Sequence, residues 1–214
     1  MGEQVAWRAS TRRVNECTEA VLEYVERQPR GQGASLGTMP LCDHSKEAVF
    51  PVDSPESQAS VASQHNVVVR KNAADCALLG VLQRFEARQL RPRAHRHPFM
   101  ETFLSEERTG KLELLHVQLS LYAAGEMRGY HVDSPELGDV VVSCTLQGSG
   151  ILQWVPYKLH TPHSIHMDAG HVYSLGLGLP RECLHQVVPD PACKSCVGNG
   201  SWERIALTCR YKLS

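Results

Sequence analysis

The chain has 214 residues, 42% of them hydrophobic, and 22 Lys and Arg against 23 Asp and Glu give a formal net charge of −1. That balance carries no global basic footprint of a nucleic-acid binder, and the composition suits one globular domain with extensions. No apolar run approaches the roughly 18 residues that span a bilayer, and the N-terminus has no apolar core of a secretory signal. The eight cysteines are therefore read as free thiols or metal ligands in a reducing compartment, cytoplasm or nucleus. A monomer is expected.

In chain order, Val14, Cys17, Val21, Tyr24 and Val25 recur at helical spacing and predict a helix over 14–28. Pro29 and Gly31 break it. Ser, Gln, Gly and Pro dominate 31–63, so residues 1–64 read as a helix plus a loosely ordered arm or linker, and residues 65–214 as the main domain. Arg8, Arg12 and Arg13 form a small basic cluster read as a solvated face. A short strand over 66–70 precedes Asn72, an N-cap candidate. A helix over 73–89 follows, with Cys76, Leu79, Leu82 and Phe85 on its apolar face. The dense basic stretch 88–97 places Arg91, Arg93 and Arg96 in a loop, where phosphate contact and simple solvation are both open readings.

From 112 to 122 alternation is strong. Leu115, Val117, Leu119 and Leu121 take one face, and His116, Gln118, Ser120 and Tyr122 the other, as a pocket wall would require. Further strands are expected over 140–146, 151–157, 171–177, 185–188 and 205–213, separated by Gly, Pro and Asp turns. Many short strands without intervening helices define a mainly β (α+β) chain, a sandwich or barrel with helices at its N-terminal side.

Chemistry concentrates at Tyr130-His131-Val132-Asp133. In extended chain, residues i and i+2 share a face, so His131 and Asp133 aim an imidazole and a carboxylate at one point. A second imidazole from a distant strand would complete two histidines and one carboxylate, the facial set of non-haem Fe(II) oxygenases. His185 suits that place: it sits in the apolar run Leu184-His185-Gln186-Val187, and 51 residues separate it from Asp133. His160, His163, His166 and His171 are rivals. In the last strand, Arg204, Ala206, Thr208 and Arg210 share one face. Either that face is solvated, or its guanidinium groups point into a barrel and need an anionic partner.

The ordered set His131-x-Asp133, His185 and Arg204-x5-Arg210 resembles the AlkB-like Fe(II)/2-oxoglutarate dioxygenases. The resemblance covers roughly residues 65–214 and extends to Ser120-Leu121-Tyr122-Ala123-Ala124-Gly125, where that family has Asn-x-Tyr-x-Pro-Gly. It implies a double-stranded β-helix (jelly-roll) core, and Fe(II) on His131, Asp133 and His185, with 2-oxoglutarate and O2 as cosubstrates. It also implies Arg204 on the distal carboxylate of 2-oxoglutarate with help from Tyr122, Ser120 along the same wall, and Arg210 nearer the iron. Hydroxylation of the substrate would follow, with loss of formaldehyde where the target is an N-methyl group. Ser120, Ala124 and Pro135 depart from the family's Asn, Pro and carboxylate. The last departure turns the expectation away from direct repair of alkylated bases and leaves protein side chains, RNA bases or another substrate open.

Two readings of other classes stand beside this one. A jelly-roll that binds without turnover would suit the Ser120 and Ala124 changes. A zinc-dependent interaction protein would use Cys193-x2-Cys196 with other ligands, since completion by Cys183 and His185 is not a usual zinc spacing.

Overall fold

The computed structural model describes residues 6–27, 37–38, 46–51, 68–69, 73–91, 112–122, 128–133, 137–156, 161–176, 183–190 and 203–213. Strands dominate them. In chain order they are β1 (Ala6–Arg8), β2 (Gly37–Thr38), β3 (Lys46–Pro51), β4 (Val68–Val69), β5 (Leu112–Tyr122), β6 (Arg128–His131), β7 (Val140–Gln147), β8 (Ser149–Pro156), β9 (His163–Asp168), β10 (His171–Gly176), β11 (Cys183–Pro189) and β12 (Arg204–Leu213). Two helices, α1 (Thr11–Glu26) and α2 (Ala73–Phe85), precede β5, and α2 runs on into a π-helical turn, Glu86–Leu90.

The strands form two sheets. The larger has the order β1-β10-β7-β12-β5-β3-β2, with β4 alongside β3, and the smaller has the order β6-β11-β8-β9. All described pairs are antiparallel except β3 with β4. Val141, Tyr173 and Leu175 of the large sheet pack against Leu152 and Met167 of the small one. The two sheets therefore face each other around a shared interior, and the expected mainly β jelly-roll core is present.

Alternation decides which side chains reach that interior. Facing residues of an antiparallel pair project to the same side. Arg204 faces Tyr122, Ala206 faces Ser120, and Arg210 faces His116 across β12 and β5, so both polar faces line the interior together. The opposite faces, including Val117, Leu119, Leu121, Ile205, Leu207 and Cys209, join α1 and α2 in the main apolar core. Each helix supplies a stripe to that core, Val14, Cys17, Val21 and Tyr24 from α1 and Leu78, Leu82 and Phe85 from α2.

The segment read as a linker differs from expectation. β3 pairs with β5 over Lys46–Pro51, and β1 pairs with β10. The described parts of residues 1–64 are thus built into the large sheet and its helical cover. The physical reason is that an edge strand needs only backbone hydrogen bonds from its neighbour, which composition does not report. The second helix also differs, because its last turn widens into the π form and carries Glu86 and Leu90 inward, both buried. Gly148 turns β7 into β8 with φ of +75°, and a Cβ there would lie 2.0 Å from the Glu203 carbonyl oxygen, so the turn requires glycine. No described helix is long and apolar enough to cross a membrane.

Candidate metal centre

β6 and β11 are hydrogen-bonded neighbours with His131 facing His185. Their rings meet with centroids 4.3 Å apart and planes at 52°. Asp133, two residues beyond His131, returns its carboxylate to the same side. Oδ1 lies 3.9 Å from His131 Nε2, and Oδ2 lies 3.7 Å from His185 Nε2. One ligand atom from each of the three falls within 4.8 Å of the others. The first tautomer is set by the backbone: His131 Nδ1 donates to the Gly129 carbonyl at 2.8 Å, which leaves Nε2 with its lone pair aimed at the cluster.

Charge completes the arrangement. Arg210 reaches in from β12 and donates through Nη2 to Asp133 Oδ1 at 3.1 Å. Burial by itself would raise the Asp133 carboxyl. Arg210, His185, the Arg210 hydrogen bond and His131 outweigh it, holding that carboxyl well below the usual carboxylate range. That favours the carboxylate form, which a metal ligand requires. His116, facing Arg210, is pushed down to about 3, first by burial and then by Arg210, so it is a neutral imidazole.

A pocket opens beside the cluster. Its walls include Gln118, Ser120 and Tyr122 of β5, Ser143 of β7, Tyr173 of β10, and Arg204, Thr208 and Arg210 of β12. Arg204 is 6% exposed and its guanidinium carbon lies 5.1 Å from the centre of the Tyr122 ring, a cation–π contact. Arg204 Nε and Arg210 Nε and Nη1 are buried without a hydrogen-bond partner among the described residues. Buried guanidinium donors left open in this way are costly unless an anion fills the space between them. Gly150 makes room for Arg204, since a Cβ there would meet its Nε at 3.3 Å and the Val188 carbonyl oxygen at 3.1 Å.

The structure thus brings His131, Asp133, His185, Ser120, Tyr122, Arg204 and Arg210 to one pocket. The described rival histidines point elsewhere. His163 is exposed and stacks on Trp154 with centroids 5.2 Å apart. His166 Nδ1 lies 3.4 Å from Asp190. His171 accepts from the Asp168 backbone N–H at 2.8 Å. Arg91 is committed to Glu86, donating through Nε at 2.8 Å and Nη2 at 2.9 Å. Arg93, Arg96, His160, Ala124, Pro135, Cys193 and Cys196 lie outside the described residues.

Three wall residues, Tyr173, Ser143 and Thr208, carry no motif. Tyr173, whose phenol is raised by burial, hydrogen-bonds Ser143, and Ser143 Oγ sits 3.0 Å from Thr208 Oγ1. The signal that could have found Thr208 is its place on the arginine face of β12. For Tyr173 the alternation of β10 is masked, because four consecutive residues, Val172 to Leu175, are buried.

No protein-family model matches the chain, and no curated protein matches it. Among solved structures it is similar to the crystal structure of a prolyl-4-hydroxylase from Pseudomonas putida, with a TM-score of 0.50 and 14% identity over 98% of this chain and 91% of that one. At that identity the likeness speaks for the fold. The chemistry rests on the residues described above.

Proposed function

We propose that this chain is an Fe(II)- and 2-oxoglutarate-dependent dioxygenase, with His131, Asp133 and His185 as the iron ligands. The carrying observation is the convergence of two imidazoles and a carboxylate within 4.8 Å, beside a pocket whose buried arginine donors lack partners. Two histidines and one carboxylate on one side of a metal leave its other positions open. The donor set fits Fe(II), and the two guanidinium groups, of which Asp133 answers one, fit a dianionic cosubstrate. Bound there, iron with O2 supplies an oxidising centre that couples decarboxylation of 2-oxoglutarate to succinate with hydroxylation of a C–H bond.

The chain's own residues do the rest. Arg204, steadied against the Tyr122 ring, offers its planar fork to the distal carboxylate. Ser120 and Tyr122 form the wall along which the cosubstrate lies. Arg210 keeps Asp133 in place and ionised. Within the class, the ordered His131-x-Asp133, His185 and Arg204-x5-Arg210 set supports an AlkB-like assignment. On the substrate, the Glu86 grip on Arg91 and the Pro135 departure favour a protein side chain over an alkylated base.

The test is succinate release from 2-oxoglutarate by the full chain with Fe(II), run with methylated peptides and with modified oligonucleotides. The wild type should release succinate and Asp133→Ala should not. A wild type that binds Fe(II) yet stays silent in every arm would replace this reading with a jelly-roll that binds without turnover. Equal release by Asp133→Ala would remove the metal assignment altogether.

A further inference from the structure

The helical layer on the outer side of the large sheet contains a second cavity. Between α1 and α2 a cleft of about 250 Å³ opens, lined by Arg13, Glu16, Cys17 and Ala20 of α1 and by Val81, Arg84, Phe85, Arg88 and Gln89 of α2 and its π turn. Its floor is apolar: Cys17 and Phe85 are buried, and Ala20 and Val81 lie beside them. Its rim is basic. Val81, Arg84, Phe85 and Arg88 fall at i, i+3, i+4 and i+7, so one face of the helix presents both the floor and two arginines.

Two features of the cleft work against the fold alone. Helix–helix interfaces normally close to interior density, and side chains lining an open space forgo packing contacts on that side. The charge is also unbalanced, because three guanidinium groups meet one carboxylate. Glu16 is already taken by Arg13, at 2.7 Å, while Arg84 and Arg88 form no ion pair among the described residues and stand one helical turn apart. Like charges at that spacing repel. An anion carrying an apolar body would relieve both features at once. The size is informative too, since an apolar cavity of about 150 Å³ accommodates a benzene ring. The present cleft therefore has room for one ring with an anionic group.

We propose that this cleft is a binding site for a small amphipathic anion, a single-ring or short aliphatic body bearing a phosphate or carboxylate. The apolar body would lie on Cys17, Ala20, Val81 and Phe85, with the anionic group between Arg84 and Arg88. Burial pushes the Cys17 thiol up to about 12, so it stays protonated, and capture is non-covalent and reversible. Gln89 closes one end: its side-chain carbonyl accepts from the Ser10 backbone N–H at 3.0 Å, tying the start of α1 to the π turn. The site is independent of the dioxygenase reading, since none of its residues lines the metal pocket.

Titration calorimetry on the full chain at low ionic strength tests it, with phenyl phosphate and benzoate as probes and inorganic phosphate and benzyl alcohol as half-probes. One of the two full probes should bind at 1:1, and the stronger identifies the anionic group. Each half-probe should bind at least tenfold more weakly, because it satisfies only the rim or only the floor. Arg84→Gln/Arg88→Gln, exposed helix changes that leave the core untouched, should weaken the full probe at least tenfold. Ala20→Leu, which fills the floor, should do the same if it folds. Arg204→Lys should leave that affinity unchanged, and a loss there would place the probe in the metal pocket and overturn the proposal. No saturable binding of either full probe, or binding that survives the double Gln variant, would overturn it as well.

Discussion

Two buried carboxylates sit on opposite sides of β12, and each is met by an arginine, yet they are treated differently. On the outer side, Glu86 is 1% exposed. It accepts from Arg91 Nε and Nη2 and from the Tyr211 hydroxyl, the last at 2.6 Å. On the inner side, Asp133 is 4% exposed and receives a hydrogen bond from Arg210, while its second oxygen faces His185 Nε2 at 3.7 Å. A carboxylate that only supports a fold is surrounded by donors. Asp133 instead shares its pocket with two imidazoles, a donor set that suits a cation. The residues joining the two are neighbours in sequence, since Arg210 grips Asp133 and Tyr211 grips Glu86.

Breaking each member separately sharpens this contrast. Asp133→Asn keeps the shape and loses the charge. Fe(II) affinity should fall by about three powers of ten, at 1.4 kcal/mol each, and unfolding free energy should fall too, because Arg210 is left buried without its carboxylate. Glu86→Gln should leave Fe(II) affinity unchanged. Its amide would set a donor against Tyr211 or Arg91, at a cost of about 3 kcal/mol in unfolding free energy, with the metal ligands intact. Loss of Fe(II) affinity in Glu86→Gln, or none in Asp133→Asn, would erase the distinction.

A smaller effect is expected at Arg204. Arg204→Lys keeps the charge but loses the fork and the contact with the Tyr122 ring, so 2-oxoglutarate affinity should fall by about one to two powers of ten. Fe(II) binding should persist. A 2-oxo acid lacking the distal carboxylate should bind both forms alike, and normal 2-oxoglutarate binding by the variant would release Arg204 from its assigned role.

His116 predicts a pH dependence. Its folded value is depressed to about 3 against an ordinary value near 6.5, so between those limits the unfolded chain binds the extra proton. Stability should therefore be full above about pH 6.5 and decline as pH falls toward about 3, by up to about 1.4 kcal/mol per pH unit from this group. Urea midpoints measured across that range should fall less steeply for His116→Gln, and parallel slopes would remove His116 as the cause.

The smallest expected effect concerns thiols. Burial raises Cys17, Cys144 and Cys209, whereas Cys76 is exposed. Among these four, a thiol reagent at neutral pH should label Cys76 in the native protein and the other three only after unfolding.

Much of the site was legible locally. The alternation of β5 and β12 assigned Ser120, Tyr122, Arg204 and Arg210 to polar faces, and His131 with Asp133 follows from a spacing of two. These readings hold because strand alternation is a property of the backbone and needs no knowledge of neighbours. Which face lines a pocket, and which histidine joins the pair, depends on strand pairing: His185 meets His131 because β11 lies between β6 and β8. The same cause hid β3 inside a stretch read as linker and left Tyr173 unmarked on a strand buried on both sides. Glu86 lay on an ordinary helical pattern, and only the π turn carried it inward to Tyr211, 125 positions away. Periodicity and residue chemistry were thus determined by the sequence alone. Partners far apart along the chain were decided by the tertiary structure, because burial and backbone pairing choose among many locally equivalent contacts.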